Sequence, residues 1–207
     1  MPAGSRRAGP RPARSTPAPP GRRLQRGERR QQILAAATRA FARGGFGATS
    51  MDDVISEAGI SRVILYRHFE SKSDLYRAVL DRARTRLTEA CGEGNFTQAT
   101  VSALLGAAAD DPDAFRLLFH HAALEPEFGD EMNDFRANMV AIAYRHLAEP
   151  IHDSSWAKWA ARLAPIVVIE AITAWLEVGQ PDPDKAAERV GQALEAVTRV
   201  AARPPQA

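Results

Sequence analysis

The sequence predicts an all-α fold, and three observations carry that reading. Apolar residues recur at three-and-four spacing in segment after segment, the period of a helix that buries one face. The start signals are helix signals. Thr49-Ser50-Met51-Asp52 and Ser71-Lys72-Ser73-Asp74 set a hydroxyl three residues ahead of a carboxylate, while Asp111-Pro112 and Asp182-Pro183 set proline at a first helical position behind an aspartate. No period-two run of useful length appears.

Taken in order, residues 1–25 hold six prolines, six arginines and a single large aliphatic, Leu24. That composition offsets none of its ordering entropy by burial and predicts a disordered basic arm. Ile33, Leu34, Ala37, Ala40 and Phe41 share one stripe, so a helix is expected over 28–43, stopped by Gly44-Gly45. Short helices follow at 50–57 and 61–69, joined by Ala58-Gly59-Ile60. Longer ones are expected at 73–90, 97–109, 112–123, 127–148, 154–178 and 183–202, about nine in all. Pro165 should kink or split the eighth, because it removes a ladder hydrogen bond. The expected division is a basic arm 1–25, a first helical unit 26–72, a second helical unit 73–202 and a flexible tail 203–207.

A length of 207 residues permits one domain or two small ones, and 45% hydrophobic with 25% charged residues is ordinary for a globular chain. One cysteine, Cys91, excludes an internal disulfide framework and a cysteine-ligated zinc cluster. The N-terminus has arginines but no apolar core of a secretory leader. Clean apolar runs such as Ile166 to Ile169 are far short of the ~18 residues a membrane span needs. These features predict a cytoplasmic protein without a membrane partner.

Net charge is +2, yet residues 1–86 hold 18 basic against 7 acidic side chains and residues 87–207 hold 9 against 18. A basic part joined to an acidic remainder points to a polyanionic partner for the first part.

Two short helices on a glycine turn, inside that basic part, form a helix-turn-helix pattern. Val54 and Ile55 offer inward contacts from the first helix, and Leu65 and Phe69 from the second. Val63, Ile64, Tyr66 and Arg67 remain for the outer face. Two apolar residues there fit thymine methyls in a major groove, while tyrosine and arginine fit phosphates. Packing of Val63 and Ile64 against protein is the alternative.

The run from Thr49 through Val54-Ile55, Gly59-Ile60-Ser61-Arg62, Tyr66-Arg67-His68-Phe69, Ser71-Lys72 and Leu75-Tyr76 resembles the DNA-binding signature of the TetR family of bacterial transcriptional regulators. The resemblance covers about 28–80. It implies double-stranded DNA, as a palindromic operator, for partner. It implies phosphate contacts by Thr49 and Ser50 at a helix start, backbone or base contacts by Ser61 and Arg62, phosphate binding by Tyr66 and Lys72, and a phosphate-neighbouring or packing role for His68. The chain departs from the family in having Val63-Ile64 where a small residue followed by threonine or serine is common.

The resemblance also implies a homodimer and a ligand-binding second part. The eighth helix is apolar on more than one face, so Ile166, Ile169 and Trp175, with Leu194 and Val197 of the ninth, are the expected interface. Phe115, Phe119, His120, Met139, Tyr144 and Trp159 are the expected pocket for a small hydrophobic or aromatic effector. His121 and Glu125 stand one helical turn apart and fit a surface ion pair or a cap better than a shared ion. No metal site, cofactor or catalytic residue is assigned, since no phosphate loop, nucleophile elbow or zinc-helix motif occurs. The expected function is a transcriptional repressor released from its operator by an effector. The alternatives are an activator of the same fold, or a helical interaction or ligand-sequestering protein that does not read DNA.

Overall fold

The computed structural model describes residues 25–92 and 97–203; the N-terminal arm, apart from Gln25, and the tail beyond Arg203 lie outside them. Nine α-helices are present among the described residues: α1 (Arg26–Ala48), α2 (Met51–Ala58), α3 (Arg62–Tyr66), α4 (Lys72–Cys91), α5 (Gln98–Asp110), α6 (Pro112–Arg116), α7 (Gly129–Leu147), α8 (Ser154–Glu177) and α9 (Pro183–Ala201). The described residues contain no strand.

Most expected starts and stops fall within two residues of those observed, and the departures have local causes. Gly45 breaks the run of α1 without ending it. Its φ of 69° and ψ of −179° bend the chain there, and helical turns resume to Ala48. The box ahead of α2 lies one residue later than expected. Ser50, not Thr49, is the cap: its hydroxyl accepts from Asp53 N–H at 3.1 Å, and Asp53 returns the bond to Ser50 N–H at 2.8 Å. Ser71 caps α4 by accepting from Asp74 N–H at 3.0 Å, while the Asp74 carboxylate reaches back to Glu70 N–H instead. Pro165 does not split α8.

The expected helix 112–123 is the largest departure. After α6 the chain widens into a π turn over Leu117–His121, then tightens into 3₁₀ turns at Ala122–Leu124 and Pro126–Phe128. A wide turn followed by tight ones shifts the register of the side chains, which plain three-and-four counting does not reveal.

Three clusters form the interior. The first gathers Ile33, Leu34 and Phe41 of α1, Val54 of α2, Leu65 and Phe69 from α3 and the turn after it, and Leu75, Tyr76, Val79 and Leu80 of α4. It also takes in Leu117, Leu118, Ala122, Phe128 and Met132. The core under the helix-turn-helix is therefore completed by residues far beyond 72. The second cluster joins α5, α8 and α9 through Leu105, Val168, Ile172, Trp175 and Val190, with Phe115. The third joins α7, α8 and α9 through Ala143, Leu147, Ala157, Ala160, Ala161, Ala164 and Val197.

Helix α8 departs from one expectation. By length and composition it is apolar enough to cross a membrane. Scattered charges hide this from a search for uninterrupted apolar runs. In the fold it packs along α7 and α9, and ten of its residues are buried.

Candidate nucleic-acid interface

The candidate reading head is α2, the turn and α3, held from below by α1 and α4. Gly59 adopts φ 62°, ψ 40°, a left-handed conformation that costs a side-chain-bearing residue energy, and the Ile60 N–H closes the turn onto Ile55 O at 3.2 Å. Three contacts fix α2 against α1. Glu57 accepts from Arg39 at 2.7 Å and Arg43 at 2.6 Å, and Gln32 donates to Ala58 O at 3.1 Å. The two guanidinium bonds hold the Glu57 carboxyl below its ordinary range.

On α3 the expected division of faces is observed. Leu65 is buried, and Val63 stands 61% exposed with Tyr66 at 45%. Arg62 and Arg67 are also exposed. Ile64 is half-buried and packs on the first cluster, so of the pair left open by the sequence only Val63 is free. The Ser61 side chain makes no capping bond to α3, although its carbonyl accepts from Ile64 N–H at 3.0 Å. Arg62 pairs with Asp52 at 2.6 Å, both largely exposed. Such a surface pair is worth ~0–1 kcal/mol and yields easily to another anion.

Three expected phosphate contacts stand differently. Thr49 is buried and its hydroxyl donates to Ala40 O at 3.3 Å, because the cap has moved to Ser50. The side chain is thus a packing group. The exposed Ser50 hydroxyl donates to Asp53 at 2.7 Å; that bond and the one from Ser50 N–H hold the Asp53 carboxyl below its ordinary range. Lys72 turns inward. Its Nζ donates to Phe46 O at 2.7 Å, Thr49 O at 3.1 Å and Gly47 O at 3.5 Å, and sits 4.3 Å from the Phe46 ring centre. All three ammonium donors are occupied, so here Lys72 is a staple between α4 and the α1–α2 connection. His68 is half-buried; burial, then Arg26, Arg30 and Arg29, hold its imidazolium below the ordinary range and favour the neutral ring.

Sequence reasoning missed Phe46, which stacks near Phe41 and meets Tyr76 and Phe128 with ring centres 5.0 Å away in each case. It also missed the bond from Phe46 N–H to Glu125 Oε1, 3.1 Å long across 79 positions. No local pattern signals a contact at that separation.

The expected pocket residues are spread over α6, the π turn, α7 and α8. Phe115 and Phe119 form a ring pair 4.7 Å apart, and His120 Nε2 shares a 3.0 Å hydrogen bond with Thr173 Oγ1. Met139 and Tyr144 lie half-buried on α7. Trp159 is on the outer face of α8, 40% exposed, edge-on to Trp156. A groove of about 650 Å³ instead runs between α4, α5 and α6, floored by Ala83, Leu87, Ala107 and Phe115 and rimmed by Arg86 and Asp110. The residues expected at a dimer interface differ in exposure within the single chain. Trp175 is buried, with its indole N–H on Pro181 O at 2.8 Å, and Val197 is buried. Leu194 and Ile169 pack on their own chain's clusters. Of the five, only Ile166 is largely exposed; Trp156 and Trp159 of the same helix and Val200 of α9 are also open.

Residues 33–79 match the family model for bacterial regulatory proteins of the tetR family. Over 187 residues the chain is 30% identical to the HTH-type transcriptional activator FasR of Mycolicibacterium smegmatis, spanning 81% of this chain and 82% of that one. A 56-residue stretch is 43% identical to an HTH-type transcriptional repressor of Mycobacterium tuberculosis, covering 27% and 30% of the two chains. Among solved structures, a TetR-like transcriptional regulator from Rhodococcus sp. RHA1 superposes with a TM-score of 0.73 over 86% of this chain and 97% of its own, at 24% identity.

Proposed function

The chain belongs to the TetR family of bacterial transcriptional regulators, and on that premise we propose that it is a homodimeric repressor that leaves a palindromic operator when a small molecule binds its C-terminal part. The observation that carries the DNA reading is the exposed face of α3. Val63 is left in solvent on a five-residue helix whose other side is fully anchored. Folding leaves Val63 and Tyr66, beside two arginines, without a covering neighbour. A major groove supplies one: Val63 meets a thymine methyl, while Ser61, Arg62, Tyr66 and Arg67 reach phosphates or base edges.

One short helix reads few base pairs, so pairing about a two-fold axis is needed, with half-sites about 34–36 Å apart. The exposed apolar residues Trp156, Trp159, Ile166 and Val200 supply the face for a second copy. The groove between α4, α5 and α6 suits a compact effector with an apolar body and a polar end, being of the size typical for such sites. An effector seated there touches α4, whose first residue staples the head. Binding that favours a wider head spacing weakens DNA binding by the same factor that DNA weakens effector binding.

An activator is the second reading, favoured by the name of the relative that spans most of the chain. Fluorescence anisotropy on the DNA upstream of its own gene tests the common part: tight, salt-sensitive binding lost in Val63→Glu supports it, and equal weak binding to any duplex contradicts it. A promoter–reporter strain then decides the sign. Deletion of the gene raises transcription under the first reading and lowers it under the second.

A further inference from the structure

Phe46 is gripped through both its backbone N–H and its carbonyl. Its N–H donates to Glu125 Oε1 at 3.1 Å, its carbonyl accepts from Lys72 Nζ at 2.7 Å, and its ring lies between Lys72, Tyr76 and Phe128. Lys72 belongs to α4. Glu125 belongs to the turn beyond the π segment, 79 positions from its partner. Gly45 makes the meeting possible. Its positive φ bends α1, and a Cβ added there would come within 3.3 Å of His121 Nδ1 and 3.5 Å of Glu125 Oε1. Three residues past Phe46 come Thr49, whose carbonyl also binds Lys72, and then Ser50, the cap of α2. The Tyr76 hydroxyl, buried without a hydrogen-bond partner, has its acidity suppressed by burial and by the Glu125 charge, which places that charge against the same cluster.

We propose that Glu125 is a positioning residue for DNA reading: its carboxylate latches the last turn of α1, beyond the Gly45 bend, through Phe46 N–H and so ties the approach to α2 to the segment 117–128. The inference rests on the DNA-binding reading above. With the latch closed, the connection carrying Ser50 is ordered before DNA arrives. With it open, that ordering must be supplied on binding, and affinity falls. The latch also gives a route from the effector part to the head. The π and 3₁₀ turns between Phe115, in the groove floor, and Glu125 are a stretch whose hydrogen-bond register is already irregular, and such stretches relocate side chains by changing register.

The test uses the full chain with Glu125→Ala and Glu125→Gln. Amide exchange at Phe46 reports the bond itself, and anisotropy on the upstream palindrome at several salt concentrations reports its consequence. Glu125→Ala should speed Phe46 exchange and weaken DNA binding about tenfold, the scale of one charge-assisted hydrogen bond, with an unchanged salt slope. Glu125→Gln keeps an acceptor oxygen and should recover most of both losses. Charge alone predicts the opposite, since removing an acidic group helps a protein meet DNA. Unchanged Phe46 exchange in Glu125→Ala, or faster exchange with DNA affinity equal or higher, overturns the proposal. Wild-type protein that ignores every duplex sinks the regulator reading itself, which is a separate outcome.

Discussion

Replacing Lys72 by methionine keeps the length of the side chain and removes its charge and donors. In the structure that ends three ammonium bonds to carbonyls and a contact with the Phe46 ring. A charge-assisted hydrogen bond is worth ~1.5–3 kcal/mol and an exposed cation–π contact ~0.5–1 kcal/mol. Lys72 is half-exposed, so water competes and the sum is discounted to about 2 kcal/mol. For a chain of this length that lowers the melting temperature by roughly 4–8 °C. Thermal unfolding of wild type and Lys72→Met checks the stability arm. DNA binding against salt checks the other: a staple leaves the slope of log K against log[salt] unchanged while K falls. A phosphate contact instead lowers the slope by about 0.9 with little change in melting. The second pattern would refute the placement of Lys72 as a structural clamp.

Further outcomes follow from the same geometry. Ile166→Asp puts a charge into the exposed apolar face of α8 and should yield monomers by sedimentation, while the circular dichroism of the fold is kept; an intact dimer moves the interface elsewhere. Deleting residues 1–25, with their six arginines, should weaken DNA binding and flatten the salt slope by up to about 5. An unchanged slope removes the arm from the interface. His68 is held neutral by burial and by Arg26, Arg30 and Arg29, so the unfolded chain takes up that proton first. Stability should therefore fall as pH drops through about 6.5 and level off once the folded ring is protonated. Calorimetry of His68→Gln should lack that component.

Much of the architecture was legible because it is local. The stripe Ile33–Leu34–Ala37–Phe41, the Asp-Pro starts and the Gly59 turn are each decided within a few residues. Positions judged by neighbours in sequence went astray where a distant element decides them. Thr49 turned inward because the cap formed at Ser50. Lys72 found three carbonyls because α1 bends at Gly45. Trp175 is covered and Trp159 left partly open because α8 is apolar on several faces, and its neighbours α5, α7 and α9 determine which side chain is covered. Phe119 and His120 fall in the π turn after α6, where three-and-four counting does not give the face a side chain occupies. Five of the twelve residues lining the groove between α4, α5 and α6 are alanines, which carry no signal of a site in sequence.

The central claim is that α3 is a reading head presented twice by a symmetric pair. Sedimentation of the purified protein with a duplex carrying the palindrome from its own promoter, at modest ionic strength, tests it most directly. Two chains per duplex, with the Val63→Glu protein still dimeric but unbound, is the result predicted. A single chain on the duplex, or the same binding by Val63→Glu, contradicts it.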